Sequence, residues 1–223
     1  MKPITILLAE DHTIVREGFR KMLELETGLE VVGEAQNGRE GIALAEKLKP
    51  AVILMDVAMP LLNGLEATRQ VLKAFPTTRV LMLSAHSDYA YVQNAIEAGA
   101  AGFLLKQTST HDVCRAIREV AAGKTFFSPA IARQLHHQKN VNREGLAGKQ
   151  SVQLTSREME VLQLIAEGKA NKETASELGI AIKTVEKHRE HLMQKLNIHD
   201  TASLTRYAIS AGIIESSVQL TIV

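Results

Sequence analysis

The sequence ITILLAED, at residues 4–11, is an apolar run that ends in an acidic pair. Four further apolar runs follow it, and segments with helical periodicity separate them. The expected strands are Ile4–Leu8, Leu29–Ala35, Ala51–Met55, Arg79–Ser84 and Gly102–Leu105. Because strands that alternate with helices favour a parallel sheet covered on both faces, residues 1–123 are predicted to form a doubly wound α/β domain with five strands and five helices.

Two of the intervening segments show the helical pattern clearly. His12–Leu25 places an apolar stripe along one side of a helix, and Thr110–Ala122 does the same with Val113, Ile117 and Val120. These stripes are expected to pack against the sheet.

The composition is that of an ordinary globular protein, with 45% hydrophobic and 23% charged residues. The first apolar run is too short for the core of a signal peptide, and no stretch approaches the roughly 20 apolar residues of a membrane span. Cys114 is the only cysteine, so an internal disulfide is excluded, and we interpret it as a small buried or half-buried hydrophobe. We therefore expect a cytoplasmic protein with no membrane contact.

Charge is distributed unevenly along the chain, although its total is only +1. Residues 1–123 contain 13 basic and 15 acidic side chains, residues 124–154 contain five and one, and residues 155–212 contain eight and eight. The basic excess lies in the middle segment, so bulk charge does not by itself predict nucleic-acid binding.

Residues 124–153 are predicted to be a linker. Ser128 and Pro129 suit the start of a short helix over 129–138, and the polar, glycine-containing residues 138–150 are typical of a flexible connection.

Residues 154–214 are predicted to form a small all-helical domain. The expected helices are one capped by Thr155 with Glu158 and ending at Gly168, a second capped by Asn171 and ending at Gly179, a third over 182–196, and a fourth capped by Asp200 and ending at Gly212. A short helix, a glycine-containing turn and a longer helix indicate a helix-turn-helix.

Acidic side chains follow two of the expected strands. Glu10 and Asp11 come directly after the first strand, and Asp56 comes directly after the third. The carboxyl ends of parallel strands meet at one edge of a sheet, where three carboxylates repel one another unless a cation lies among them. Mg²⁺ takes oxygen ligands and keeps phosphate oxygens in its octahedron, so it suits this site.

A hydroxyl and an ammonium group are expected at the same edge, because Ser84 ends the fourth strand and Lys106 ends the fifth. Such groups stabilise the oxygens of a phosphoryl group during its transfer, which makes Asp56 a candidate nucleophile that forms an acyl phosphate. Taken singly, Asp56 also suits a turn or a helix cap, and Lys106 a solvated charge. The joint placement favours the phosphoryl site.

At these positions the sequence resembles the receiver domains of response regulators, whose sheet is flavodoxin-like. The matching segments are LAEDH at 8–12, LMDVAMP at 54–60, NG at 63–64, LSA at 83–85 and GFLLK at 102–106. The resemblance covers roughly residues 3–123 and implies that Asp56 is the phosphoacceptor. The residues that it implies for Mg²⁺ are Glu10, Asp11, Asp56 and the backbone carbonyl of Ala58.

Three further roles follow from the resemblance. Ser84 and Lys106 would bind the phosphoryl group, and Phe103 would be the switch aromatic that turns inward when the hydroxyl closes on the phosphate. A simple core aromatic is the alternative interpretation of Phe103. Two positions depart from the commonest pattern, since Glu10 stands where Asp is more usual and Phe103 where Tyr is frequent.

The C-terminal segment resembles the LuxR-type helix-turn-helix over roughly residues 152–212. The matching segments include LTSRE at 154–158, NKE at 171–173, LGI at 178–180 and KTVEKH at 183–188. Both halves together resemble a response regulator of the NarL/FixJ type. That resemblance implies phosphorylation by a sensor histidine kinase, binding to promoter DNA and control of transcription, with RNA polymerase as a further partner.

The third helix is expected to be the recognition element. It has a local charge of +2, because it carries two glutamates against Lys183, Lys187, Arg189 and Lys195. The DNA-binding residues that the resemblance implies are Lys183, Thr184, Glu186, Lys187, His188 and Glu190. A solvated ion-pair face is the alternative interpretation. Ala181 precedes the helix where a capping serine is common, which predicts a weakly held first turn.

The fourth helix carries Leu204, Tyr207, Ala208 and Ala211 along one side. Part of this stripe is expected to be domain core, and the remainder is a candidate homodimer face.

We expect a transcriptional regulator and not an enzyme. A phosphatase or phosphotransferase that uses Asp56 is one alternative, but such phosphatases carry a second acid two residues later. The other alternative is a phosphorylation-gated protein-interaction module that does not bind DNA. A gel shift with promoter DNA distinguishes this module from a DNA-binding regulator.

Overall fold

The computed structural model describes residues 2–86, 89–128, 131 and 154–214, with the backbone alone at 89 and 90. The chain forms two compact units, residues 1–151 and residues 152–223. In the part of the chain that is described, no helix is both long and apolar enough to cross a membrane.

The first unit is a parallel sheet with helices on both faces, as predicted. Its strands are β1 (Ile4–Ala9), β2 (Leu29–Ala35), β3 (Val52–Asp56), β4 (Arg79–Ser84), β5 (Gly102–Leu105) and β6 (Phe126–Phe127). Its helices are α1 (Thr13–Glu24), α2 (Gly38–Leu48), α3 (Gly64–Ala74), α4 (Tyr89–Glu97) and α5 (Thr110–Ala121). The strand order is β2-β1-β3-β4-β5-β6. From β1 the chain adds β2 on one side and β3 to β6 on the other, so the strand order reverses between β1 and β3.

The prediction of five strands was wrong, because Phe126–Phe127 adds a sixth strand beside β5. Gly102 permits this pairing, since a Cβ at that position would lie too close to the carbonyl oxygen of Phe126. A strand of two residues shows no periodicity of its own, and it lies in the segment interpreted as linker.

Side chains of the central strands point alternately to two apolar layers. Ile53 and Met55 pack with α2, α3 and α4, whereas Val52 and Leu54 pack with α1 and α5. Burial on both faces explains why these strands are continuously hydrophobic in sequence. Cys114 is buried in the second layer, as predicted.

The second unit consists of α6 (Ser156–Ala166), α7 (Asn171–Leu178), α8 (Ile182–Leu196) and α9 (Thr201–Ser210). The predicted capping box is confirmed. The Glu158 carboxylate accepts from the backbone N–H of Thr155 at 2.8 Å, and the Thr155 hydroxyl accepts from the backbone N–H of Glu158. Asp200 caps α9 by accepting from the backbone N–H of Ser203 at 2.8 Å.

The prediction that Asn171 caps α7 was wrong, because Ala170 is the N-cap and Asn171 is already helical. The Glu173 carboxylate accepts from the backbone N–H of Ala170 at 2.8 Å. The Asn171 side chain instead accepts a hydrogen bond from Arg189 in α8. Ala181 precedes α8 without a side-chain cap, as its residue type predicts.

The predicted helix at 129–138 lies outside the described residues apart from Ile131. The predicted flexible segment at 138–150 and residues 215–223 also lie outside them.

Candidate functional site

The structure brings three carboxylates together at the carboxyl edge of the sheet. β1 and β3 are neighbours in register, with Ala9 opposite Met55, so the residues that follow them in the chain meet. Glu10 and Asp56 are 2% and 1% exposed. One oxygen from each of Glu10, Asp11 and Asp56 lies within 4.8 Å of the others.

Lys106 reaches into this cluster from the end of β5. Its Nζ donates to Asp56 Oδ2 at 2.9 Å and to Glu10 Oε1 at 3.1 Å. Burial alone lowers the pKa of Lys106, but the charges and hydrogen bonds of Asp56 and Glu10 outweigh it, so the pKa lies above its ordinary value. The lysine therefore remains a cation inside the site.

One ammonium group does not neutralise the cluster. Burial, followed by the negative charge of Glu10, raises the pKa of Asp56 to about 7 even though Lys106 opposes the shift. Among the described residues, no hydrogen-bond donor reaches the buried Asp56 Oδ1. A hard divalent cation would supply the missing positive charge, and the three carboxylates are ligands that suit Mg²⁺.

The loop between β3 and α3 folds back onto Asp56 and carries Ala58, which is buried. The backbone N–H of Gly64 donates to the carbonyl of Val57 at 2.8 Å, and a Cβ at position 64 would overlap the carbonyl oxygen of Asp56. Asn63 caps α3 by accepting from the backbone N–H of Glu66. The Asn-Gly pair thus provides the helix cap and the space for this close approach.

Ser84 lies at the same edge, buried at the end of β4. Its carbonyl accepts from the backbone N–H of Lys106 at 2.8 Å, while its hydroxyl accepts from the backbone N–H of His86 at 3.0 Å. The hydroxyl therefore bonds to its own loop. Phe103 is fully buried in β5, between Met82 and Phe127, which is compatible with both interpretations of its role.

Arg16 belongs to this site, although the sequence reasoning missed it. Its side chain is only 8% exposed, and the guanidinium donates to the carbonyl of Glu10 at 2.8 Å and forms an ion pair with Glu34 at 3.0 Å. It therefore ties β2 to the loop that carries Glu10 and Asp11. A cation five residues after an acidic pair is a weak sequence signal, because most such arginines are solvated.

In the second unit, α8 presents the residues implied for DNA contact. Lys183, Thr184, Glu186, Lys187 and Glu190 are exposed and His188 is half-buried, whereas Val185 and Leu192 are buried on the other side. An exposed helix anchored by a buried apolar stripe is the geometry needed to enter a DNA groove.

Two of the basic residues that give α8 its local charge are engaged within the domain. Arg189 donates to Asn171 Oδ1 at 3.3 Å and to the Thr201 hydroxyl at 2.7 Å, which ties α8 to the starts of α7 and α9. Lys195 donates to the nearly buried Glu158 carboxylate at 2.7 Å. The face left for DNA is therefore less basic than the composition of α8 indicates.

The stripe on α9 divides as expected between core and surface. Leu204 and Ala208 are fully buried, while Tyr207 and Ala211 are half-buried. The part of the stripe available to another molecule is therefore small.

Comparison with known proteins matches both units to protein families. Residues 6–118 match the response regulator receiver domain, and residues 152–208 match the bacterial regulatory proteins of the luxR family. Transcriptional regulatory protein MctR of Rhizobium johnstonii is 39% identical over 211 residues, which cover 95% of each chain. Response regulator protein VraR of Staphylococcus aureus is 38% identical over 95% of this chain and 99% of its own.

A solved structure of two RcsB dimers bound to two parallel DNAs is also similar to this chain. It has a TM-score of 0.58 and 27% identity, and the match covers 94% of this chain and 99% of that one.

Proposed function

This chain belongs to the response regulators that join a receiver domain to a LuxR-type DNA-binding domain, and from this premise we propose that a phosphoryl group on Asp56 controls its binding to promoter DNA. The observation that carries the proposal is the contact of Lys106 with both Asp56 and Glu10 inside a buried carboxylate cluster. We assign residues 1–123 to the receiver domain, 124–153 to the linker and 154–214 to the DNA-binding domain. The cytoplasmic location stays a prediction.

In the proposed transfer, a carboxylate oxygen of Asp56 attacks the phosphorus of a phosphohistidine on a sensor kinase. The new P–O bond makes an acyl phosphate as the P–N bond breaks, and the electron pair leaves with the imidazole. Lys106, already 2.9 Å from Asp56, would hold a phosphoryl oxygen. Ser84 would supply a second contact once its hydroxyl turns away from His86.

Glu10, Asp11, Asp56 and the carbonyl of Ala58 would hold Mg²⁺. The bound ion would neutralise charge on the phosphoryl oxygens and keep Asp56 ionised near neutral pH, where burial otherwise leaves it partly protonated. The buried Asp56 Oδ1, which accepts no hydrogen bond from the described residues, supports this assignment.

Strand β6 supports a direct route from the receiver site toward the linker. Phe103 pairs with Phe127, and Ile131 packs in the same apolar cluster as Phe103. Movement of Phe103 would therefore disturb the strand at the start of the linker. We propose that this change permits homodimer formation on promoter DNA, as RcsB dimers bind DNA, and that the bound dimer acts on RNA polymerase.

Intact-mass measurement after incubation with acetyl phosphate and Mg²⁺ tests the input. We expect one added phosphoryl group on the wild type and on Asp112→Asn, whose carboxylate lies on the exposed start of α5, and none on Asp56→Asn. Equal labelling of Asp56→Asn would contradict the assignment, and so would an unlabelled wild type.

Fluorescence anisotropy with labelled promoter DNA tests the output, with and without acetyl phosphate. We expect phosphorylation to tighten binding, and Lys183→Ala, which removes a contact to the DNA backbone, to weaken it at least several-fold, while Lys47→Ala on α2 leaves it unchanged. Loss of a phosphate contact also reduces the slope of the logarithm of the binding constant against the logarithm of the salt concentration by about one unit. Salt-insensitive or absent binding in both states would reject the DNA-binding proposal.

A further inference from the structure

His12 lies at the solvent side of the carboxylate cluster and has no role in the transfer described above. Its ring is 56% exposed, and its Nδ1 lies 2.9 Å from Glu10 Oε1 and 2.9 Å from Asp11 Oδ1. The backbone N–H of His12 also donates to Glu10 Oε1, at 3.1 Å, which holds the residue against the cluster. The imidazole thus faces the carboxylates that would hold Mg²⁺.

The separation of His12 Nδ1 from Glu10 Oε1 is that of a hydrogen bond, and both separations also match those between neighbouring ligands of one metal ion. Bonds of about 2.1 Å at right angles place adjacent ligand atoms about 3 Å apart. Nδ1 of His12 and one oxygen from each of Glu10, Asp11 and Asp56 all lie within 4.8 Å of one another. The buried Asp56 Oδ1, which has no hydrogen-bond partner among the described residues, independently indicates that a cation completes the site.

A nitrogen ligand changes which ions the site prefers. Mg²⁺ favours carboxylate, carbonyl and water ligands, whereas Co²⁺, Ni²⁺ and Zn²⁺ bind imidazole well and bind mixed nitrogen and oxygen sites more tightly. An ion that takes His12 as a ligand also has one coordination position fewer for water or a phosphoryl oxygen.

We propose that His12 converts the receiver pocket into a mixed nitrogen and oxygen site that binds imidazole-preferring transition-metal ions in competition with Mg²⁺. The inference rests on the proposed function, since it concerns the same pocket. It assigns to His12 the selection between two classes of divalent ion, and it predicts that such ions inhibit phosphoryl transfer by occupying the pocket.

Binding of Co²⁺ and of Mg²⁺ to the untagged full-length protein tests the proposal. Calorimetry gives both affinities, and the visible absorption of bound Co²⁺ reports whether nitrogen is a ligand. The variants are His12→Ala and His12→Asn, of which the second keeps an N–H that can donate to Glu10 and Asp11. His111→Ala, on the exposed start of α5, controls for cobalt bound at other histidines.

We expect both His12 variants to lower the ratio of Co²⁺ to Mg²⁺ affinity by about tenfold or more and to shift the cobalt spectrum, while His111→Ala changes neither. An unchanged ratio would overturn the proposal. A ratio that His12→Asn restores to the wild-type value would also overturn it, since His12 would then only orient the carboxylates.

Failure of the proposed function has a different signature. A wild type that binds no Mg²⁺ and takes no label from acetyl phosphate removes the phosphoryl site itself. An unchanged affinity ratio in a labelled, Mg²⁺-binding protein removes only the role of His12.

Discussion

Arg16→Met tests whether the acidic loop is held in place by the buried guanidinium. The substitution keeps much of the apolar volume of the arginine stem and removes the donors to the carbonyl of Glu10 and to Glu34. Glu34 keeps its ion pair with Arg20, so the main loss is at the buried carbonyl. The loop that carries Glu10 and Asp11 would then lose its tie to β2.

The expected cost follows from the kind of bond that is lost. A hydrogen bond from a charged donor contributes about 1.5–3 kcal/mol, and its loss leaves a buried acceptor unsatisfied. We therefore expect Arg16→Met to lower the free energy of unfolding of the receiver domain by about 2 kcal/mol. Mg²⁺ affinity should fall about tenfold, as it does when residues that orient metal ligands are removed.

Amide hydrogen exchange of peptides covering β1, read by mass spectrometry, isolates the receiver domain from the rest of the chain. A loss of about 2 kcal/mol corresponds to roughly 30-fold faster exchange of amides that open only on unfolding, at about 1.4 kcal/mol per factor of ten. Arg118→Met is the control, because its ion pair with Glu26 is exposed and should contribute less than about 1 kcal/mol. If Arg16→Met had the amide exchange rates and the Mg²⁺ affinity of the wild type, Arg16 would not hold the acidic loop in place.

Three further predictions concern single contacts. Gly64→Ala should destabilise the receiver domain by about 1–3 kcal/mol in urea and reduce acetyl phosphate labelling of Asp56, since the new Cβ meets the Asp56 carbonyl; wild-type values would show that the loop has room. Burial alone raises the pKa of Glu158, but hydrogen bonds from Lys195 and from the start of α6 lower it overall. That carboxylate therefore stabilises the second unit above its unfolded pKa, and this contribution is lost as the pH falls through the lowered folded value. Lys195→Met should reduce the thermal midpoint near neutral pH, with a difference from wild type that shrinks on acidification; a difference independent of pH argues against the ion pair. Thr174→Val should raise the thermal midpoint and increase the free energy of unfolding by about 1 kcal/mol, because the buried hydroxyl has no hydrogen-bond partner among the described residues. A lower midpoint would indicate that the hydroxyl has a partner.

Much of the receiver site was predictable because it depends on where strands end. Glu10, Asp56 and Lys106 each follow an apolar run, and the ends of parallel strands share one edge whatever the details of packing. Arg16 was not predictable in the same way. Its role depends on a carbonyl six residues earlier and on a glutamate from another strand, and neither contact leaves a pattern in the local sequence.

Helix α8 shows the same division. The residues at which it begins and ends, and its buried stripe, follow from the spacing of apolar residues along the sequence. Val185 and Leu192 were therefore predictable as core residues. The fate of its charges was not, because Arg189 and Lys195 bond to residues on three other helices. Counting charge along a helix therefore overstates what remains for DNA.

The sequence alone determined the order of strands and helices, the caps at Thr155 and Asp200, and the set of groups at the edge of the sheet, because these follow from local periodicity and chain direction. The tertiary structure decided the sixth strand, the hydrogen bond of the Ser84 hydroxyl and the anchoring of the acidic loop by Arg16. Each of these depends on how closely separate segments approach one another, and that distance is set by packing of the whole domain.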